Sequence, residues 1–164
     1  MNFLLKKKCV KKDKIFLIYG SGVDPNYYKS NDYNLKNNII LMPTRVMKDK
    51  GVLDLLSLAN YFYEKNILKY RFILLGDLDQ NNPSSLTNIQ INKINSHPIL
   101  EWHKHTKDIR QYLKKTKLLI FLSHREGLPR TIIESLFMCT PILCYNVIGC
   151  NEIVIDDFNG KIVD

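Results

Sequence analysis

The 164-residue sequence has no long apolar run and no paired cysteine motif. No stretch reaches the ~20 apolar residues that cross a bilayer as a helix, and the longest candidates, such as residues 117–122, have the length of a strand. Residues 6–8 are lysines that follow a very short apolar run, which is the reverse of a signal peptide. These absences predict a cytoplasmic chain that forms one folded unit.

Several kinds of chemistry have no support in the sequence. The cysteines form no Cys-x-x-Cys pair, so neither a disulfide framework nor a zinc site is indicated. His103 and His105 are close together in the sequence, but no acidic cluster accompanies them, so we expect no metal. There is no phosphate loop and no complete dinucleotide fingerprint, which removes the main support for nucleotide hydrolysis and hydride transfer.

The chain is basic, with a formal net charge of +8. This charge predicts an anionic partner, which leaves open nucleic acid, phosphate-bearing metabolites and the acidic surface of a membrane. The basic residues do not form one stripe with interleaved aromatic residues, and no nucleic-acid-binding motif is present, so we do not expect nucleic acid as a partner. A basic nucleic-acid-binding protein remains the weakest of the alternatives.

Short apolar runs alternate with helical patterns along most of the chain. Repeated β-α units of this kind predict an α/β fold with a doubly wound, mostly parallel, Rossmann-like sheet. The predicted strands cover residues 15–19, 39–42, 71–75, 99–102, 118–122, 142–145 and a short last segment near 161–163. The predicted helices cover residues 51–65, 83–95, 108–115 and 129–139.

In such a sheet, ligands bind beyond the carboxyl ends of the strands. The loop after the predicted strand 118–122 contains Glu126 and Gly127 and leads into Pro129, a residue that suits the first turn of a helix. Free backbone amides and the helix dipole at that point favour an anion such as a diphosphate, and Gly127 lets a ligand approach the backbone closely.

Glu134 lies within the predicted helix that follows. At 100° per residue it is about 130° from the centre of the apolar stripe, so packing does not force it inward. Glu126 and Glu134 would then hold the two ends of one extended ligand with phosphates in the middle, which is the layout of a nucleotide sugar. The alternative is that Glu134 pairs with Arg130 on a solvated face, although arginine before glutamate is the less favourable order for such a pair.

A second basic group follows the predicted strand 39–42. Arg45 and Lys50 flank the turn into the next helix, with Gly51 just inside it, and both cations would reach an anion at the same edge of the sheet. The alternative is that both are simply solvated. Gly76 ends another strand, where it serves either a plain turn or the close approach of a ligand.

Taken together, these segments resemble the C-terminal domain of family 4 of the retaining glycosyltransferases, which share the two-domain GT-B fold. The specific part of the resemblance is the run Glu126, Gly127, Leu128 and Pro129, with Glu134 separated from Glu126 by seven residues. Other segments match the family as well. Residues 18–24 resemble the segment that leaves the first domain, and Arg45 with Lys50 and Gly51 resembles an Arg-to-Lys-Gly element. Gly76 resembles a mid-domain glycine, and residues 146–160 resemble the stretch before the last strand.

This resemblance implies roles for the residues that match. Arg45 and Lys50 would bind the donor diphosphate, Glu126 would act at the donor sugar near the reacting carbon, and Glu134 would hold the ribose. Gly76, Gly127, Leu128 and Pro129 would complete the donor-binding set. The donor would be a UDP-sugar, with no metal or other cofactor.

The Glu-Gly-Leu-Pro-Arg form most resembles bacterial enzymes that build capsule, lipopolysaccharide or lipid-linked oligosaccharides. The acceptor would then be a glycan or a lipid-linked glycan, and the basic chain would contact the inner face of the membrane peripherally. Against the family pattern, residues 1–30 are expected to be a basic N-terminus and a remnant of the interdomain segment, and residues 31–164 a donor-binding domain that lacks the C-terminal helices. We therefore expect either a separately encoded N-terminal acceptor domain as a partner or an inactive fragment of such an enzyme.

Overall fold

The fold is a parallel sheet flanked by helices, seen in a computed structural model that describes residues 7, 11–16, 18, 20–29 and 36–164. Within these residues the strands are β1 (Ile39–Pro43), β2 (Arg71–Leu75), β3 (Leu100–His103), β4 (Thr116–Phe121), β5 (Ile142–Tyr145) and β6 (Gly160–Val163). The α-helices are α1 (Val52–Glu64), α2 (Asn88–Asn95), α3 (Arg110–Leu113) and α4 (Arg130–Phe137). None of the helices in the described part of the chain is long and apolar enough to cross a membrane.

The strand order places a topological switch point in the middle of the sheet. The order is β3-β2-β1-β4-β5-β6, and every neighbouring pair is parallel. The chain therefore starts at β1, moves outward to β3, and returns to the other side of β1 at β4. In sheets of this topology, ligands bind outside the carboxyl ends of the strands at such a reversal.

Both faces of the sheet are buried, which explains the nearly continuous apolar strands. Successive side chains of β1 alternate between faces: Ile40 and Met42 belong to one core cluster, and Leu41 to the other. Helix α1 covers the first face because its apolar residues recur at helical spacing. The predicted α/β, doubly wound fold class is confirmed.

The helices differ from the prediction mainly at their ends. Helix α2 begins at Asn88 rather than at residue 83, because Thr87 and Gln90 form a capping box that sets its start. Helix α3 is a single turn, shorter than the predicted 108–115.

The prediction for residues 15–19 is not supported where it can be compared with the structure. The described residues of this segment, Ile15, Phe16 and Ile18, belong to no strand, and Leu17 and Tyr19 lie outside the described residues. The predicted boundary between residues 30 and 31 also lies outside them, so the division into an N-terminal remnant and a donor-binding domain stays a prediction.

Candidate functional site

A cavity of about 580 Å³ opens at the carboxyl ends of β1 and β2. Its volume falls in the range of about 300–1,000 Å³ that is usual for small-molecule sites. Three of the predicted donor-binding residues line it, namely Arg45, Gly76 and Glu134. The lining also includes Tyr28 and Asp79. The structure therefore brings together residues from four separate segments at the edge where the topology predicts a ligand.

Gly76 is required by a close approach of two loops. A Cβ added at this position would lie 1.8 Å from the carbonyl oxygen of Thr44, so no larger residue fits without moving the backbone. The Gly76 amide donates to the His103 carbonyl at 2.9 Å, and its carbonyl accepts from the Trp102 indole at 2.8 Å. The Gly76 backbone therefore packs closely on the loop after β1 and also lines the cavity.

Lys50 and Glu126, which the sequence assigned to the diphosphate and to the sugar of the donor, are paired with each other. The Lys50 ammonium lies 2.7 Å from Glu126 Oε1, and their side chains are only 13% and 20% exposed. Lys50 also donates to Ser123 Oγ at 3.3 Å. The pair links the start of α1 to the loop after β4, so it ties together two of the loops at the carboxyl edge.

Gly51 makes this arrangement possible. It has φ +73°, in the left-handed region that favours glycine, and an added Cβ would lie 2.2 Å from the Leu122 carbonyl oxygen. The start of α1 can therefore pack directly on the end of β4, which brings Lys50 to Ser123 and Glu126. Gly51 precedes the helix as its N-cap, whereas the prediction placed it just inside.

Arg45 is not part of that pair. Its side chain is 64% exposed, and its guanidinium lies 4.0 Å from Asp79 Oδ2. Arg45 lines the cavity, whereas Lys50 is paired with Glu126. Their shared role in binding a diphosphate stays a prediction.

Glu134 is buried, with an exposed fraction of 8%. The Tyr28 hydroxyl donates to Glu134 Oε1 at 2.8 Å, and Arg130 Nε lies 2.9 Å from the same oxygen. Burial and the hydrogen bond to Glu134 together raise the pKa of Tyr28 to about 12, from its ordinary value of 10.0.

The environment of Glu134 differs from both interpretations made from the sequence. The pair with Arg130 does form, but it is not on a solvated face, since the Glu134 side chain is 11% exposed. The helical wheel did not force Glu134 inward, yet Glu134 is one of the buried residues of α4. The wheel also could not reveal Tyr28, whose hydroxyl reaches the carboxylate from a segment 106 positions earlier in the chain.

The loop before α4 lies against the turn after β5. Gly149 has φ +89°, and a Cβ added there would lie 1.6 Å from the Gly127 carbonyl oxygen. Apart from its chain neighbours, no described residue has an atom within 4 Å of a Cβ added at Gly127, so that side of Gly127 is open. Pro129 is the N-cap residue of α4 rather than part of its first turn. Leu128 packs against Gly20 on the N-terminal side of the chain.

The segment that carries Tyr28 contains an aromatic pair and contacts helix α3 through a cation–π contact. The Tyr27 and Tyr28 rings meet edge to face at 5.2 Å, and the Arg110 guanidinium lies 3.5 Å from the centre of the Tyr27 ring. Hydrogen bonds from Arg110 hold the pKa of Asp108 down at about 2. Sequence reasoning missed Tyr28, because nothing in local spacing connects it to a helix more than 100 residues away.

The histidine cluster considered in the sequence has structural contacts instead. The ring of His103 lies 3.1 Å from Tyr112 Oη on one side and 3.1 Å from Glu101 Oε2 on the other. In the part of the chain that the structure describes, no group of three or more His, Cys, Asp or Glu residues is arranged to hold a metal ion.

Comparison with known proteins identifies relatives of this chain. The sequence model of the family described as glycosyl transferases group 1 matches residues 23–164. A capsular polysaccharide biosynthesis glycosyltransferase, CapM of Staphylococcus aureus, is 24% identical over 144 residues, which cover 87% of this chain and 37% of CapM. An uncharacterized glycosyltransferase of Methanocaldococcus jannaschii is 27% identical over 153 residues, which cover 93% of this chain and 40% of that protein.

Solved structures share the fold. Anabaena HepE in complex with UDP has a TM-score of 0.70 at 21% identity, with 87% of this chain and 42% of HepE covered. A glycosyltransferase from Rickettsia africae has a TM-score of 0.76 at 23% identity, with 99% of this chain and 46% of that chain covered. This chain thus spans about two fifths of the length of the curated relatives it matches.

Proposed function

The chain belongs to the glycosyl transferases group 1 family, and from that membership and the geometry above we propose that it binds the nucleotide-sugar donor of a glycosyl transfer. The donor is a UDP-sugar, and its binding site is the cavity at the carboxyl edge of the sheet. The observation that carries the proposal is the buried Glu134 carboxylate in the wall of that cavity, next to Gly76 and Arg45.

Each end of the donor has a chemical partner in this arrangement. The ribose hydroxyls donate to the Glu134 carboxylate. The diphosphate lies toward the start of α4, where backbone amides and the helix dipole favour negative charge, and Arg45 and Lys50 add cations. Glu126 faces the sugar near the reacting carbon. Lys50 must release part of its contact with Glu126 when phosphate oxygens arrive, so donor binding exchanges one ion pair for another.

The finer parts of the proposal concern the complete reaction. We propose that a domain which binds the acceptor completes the enzyme, and that the glycosyl group passes with retention to a glycan or lipid-linked acceptor. The relation to CapM, whose name refers to capsular polysaccharide biosynthesis, supports a surface-polysaccharide acceptor. HepE, whose structures include complexes with UDP and with UDP-glucose, supports a uridine nucleotide as donor. The net charge of +8 favours contact with an acidic membrane face during this reaction.

Isothermal titration calorimetry with UDP and GDP tests the donor site directly. We expect UDP to bind, and we expect Glu134→Ala and Lys50→Ala to weaken binding at least about tenfold, because each removes a charged partner of the ligand. Lys93→Ala is the matched control, since Lys93 is an exposed lysine in the last turn of α2. Folded wild-type protein that binds no nucleotide would overturn the proposal.

A further inference from the structure

The two oxygens of the Glu134 carboxylate have different surroundings. Oε1 accepts the hydrogen bond from Tyr28 and is the oxygen nearest to Arg130. Oε2 has no hydrogen-bond partner among the described residues. In the described part of the chain, every buried side-chain oxygen has a hydrogen-bond partner. Because Oε2 has none, it must be accessible at the surface. Oε2 is therefore the oxygen that is available to a ligand in the cavity that Glu134 lines.

Tyr28 is well placed to hold that orientation. The residue is only 6% exposed, it belongs to one of the two core clusters, and its ring packs edge to face on Tyr27. Tyr27 in turn lies under the Arg110 guanidinium. The hydroxyl that reaches Oε1 is thus attached to a packed ring, so the entropic cost of ordering the carboxylate is met before a ligand arrives.

Arg130 is less able to fix the carboxylate. Its side chain is 58% exposed, and it precedes Glu134 in the less favourable order for a helical pair. An exposed arginine keeps most of its rotameric freedom, whereas the Tyr28 ring has one packed position. Tyr28 also stays protonated at physiological pH, since its pKa is raised to about 12, so its hydroxyl remains a donor.

We propose that Tyr28 is a positioning residue for ribose recognition: its hydroxyl holds Glu134 Oε1 and so directs Oε2 into the cavity to accept a hydrogen bond from a ribose hydroxyl of the nucleotide. This inference rests on the proposed donor-binding function. The inference goes beyond that function in one respect. It makes the preference for a ribonucleotide over its deoxy form depend on a residue outside the motif of Glu126 to Glu134.

The experiment is a cycle that combines protein variants with ligand analogues. Tyr28→Phe removes the hydroxyl and keeps the ring. Calorimetry would measure the dissociation constants of UDP, 2′-deoxy-UDP and 3′-deoxy-UDP for the wild type and for this variant. We expect the variant to bind UDP about three- to tenfold more weakly, the factor that one hydrogen bond of ordinary strength supplies. For the analogue that lacks the hydroxyl bound by Glu134, the variant and the wild type should agree within about twofold, because that contact is already absent.

Tyr27→Phe is the matched control. It removes a neighbouring hydroxyl from a residue that is 47% exposed, and it should leave every affinity unchanged. Tyr28→Leu, a second variant without a hydroxyl, should show the same selective loss, and it keeps the test available if one variant folds poorly. Thermal unfolding of each variant establishes that the fold is retained.

The possible results separate the two proposals. Equal weakening of UDP and both deoxy analogues would mean that Tyr28 supports only the fold, and unchanged affinity for UDP would mean that Glu134 needs no orientation; either result overturns the role of Tyr28. If the wild-type protein binds UDP while either of these results is found, the proposed donor-binding function still stands. Wild-type protein that binds neither UDP nor its analogues overturns the proposed function and this inference with it.

Discussion

The contact between Gly149 and Gly127 gives a prediction whose size follows from the geometry. Gly149→Ala would place a Cβ 1.6 Å from the Gly127 carbonyl oxygen, and the position has φ +89°. A non-glycine residue in the left-handed region costs about 1–2 kcal/mol, and overpacking of a tight contact costs about 1–3 kcal/mol. We therefore expect the free energy of unfolding to fall by about 2–5 kcal/mol, the sum of these two terms.

Gly22→Ala is a control that separates the two terms. Gly22 also lies in the left-handed region, at φ +64°, but apart from its chain neighbours no atom in the described part of the chain lies within 4 Å of an added Cβ. Only the backbone term applies there, so the expected loss is about 1–2 kcal/mol. For a domain of this size, 1 kcal/mol corresponds to about 2–4 °C in the melting temperature, so the two variants should be clearly resolved.

The assay is urea denaturation followed by circular dichroism, with UDP calorimetry on the same samples. Because the Gly127 loop must move to admit the new methyl group, Gly149→Ala should also weaken UDP binding at temperatures where it remains folded, whereas Gly22→Ala should not. Equal losses of stability in the two variants would refute the reasoning, since they would show that the packing of the turn after β5 on the Gly127 loop has no energetic consequence.

Three further predictions follow from individual contacts. Lys50→Met should lower the free energy of unfolding by about 1–3 kcal/mol, because it leaves the partly buried Glu126 unpaired; adding Glu126→Gln should recover part of that loss, and a double-mutant cycle in urea that shows no coupling would contradict it. The pKa of Tyr28 is about 12 in the fold and 10.0 ordinarily, so the stability that this shift contributes is complete below pH 10 and is lost as the pH rises from 10 to 12. The free energy of unfolding in urea should therefore depend less on pH in Tyr28→Phe across that range, and identical profiles would refute the raised pKa of Tyr28. Thr87→Ala removes the capping box shared with Gln90 and should cost about 1 kcal/mol in thermal unfolding, whereas an unchanged melting temperature would show that the cap is not needed.

Much of the fold was predictable from local patterns. Burial within a single element leaves a periodic pattern of apolar residues in the sequence. The apolar runs of β1, β2 and β5 and the apolar stripe of α1 are such patterns. The family, too, could be inferred from contiguous residues, because Glu126 to Glu134 form a motif of fixed spacing. The predicted start of α2 at residue 83 was wrong because a capping side chain, rather than apolar periodicity, sets the start of that helix.

Local patterns in the chain were enough to predict most of its strands and helices and the residues of the motif. Tertiary structure alone decided the partners: Tyr28 with Glu134, Lys50 with Glu126, and Gly149 with Gly127. These pairs lie 106, 76 and 22 positions apart, and they meet because the strand order folds distant loops onto one edge of the sheet. No local period encodes such contacts, since each depends on the packing of elements that are separate in the chain.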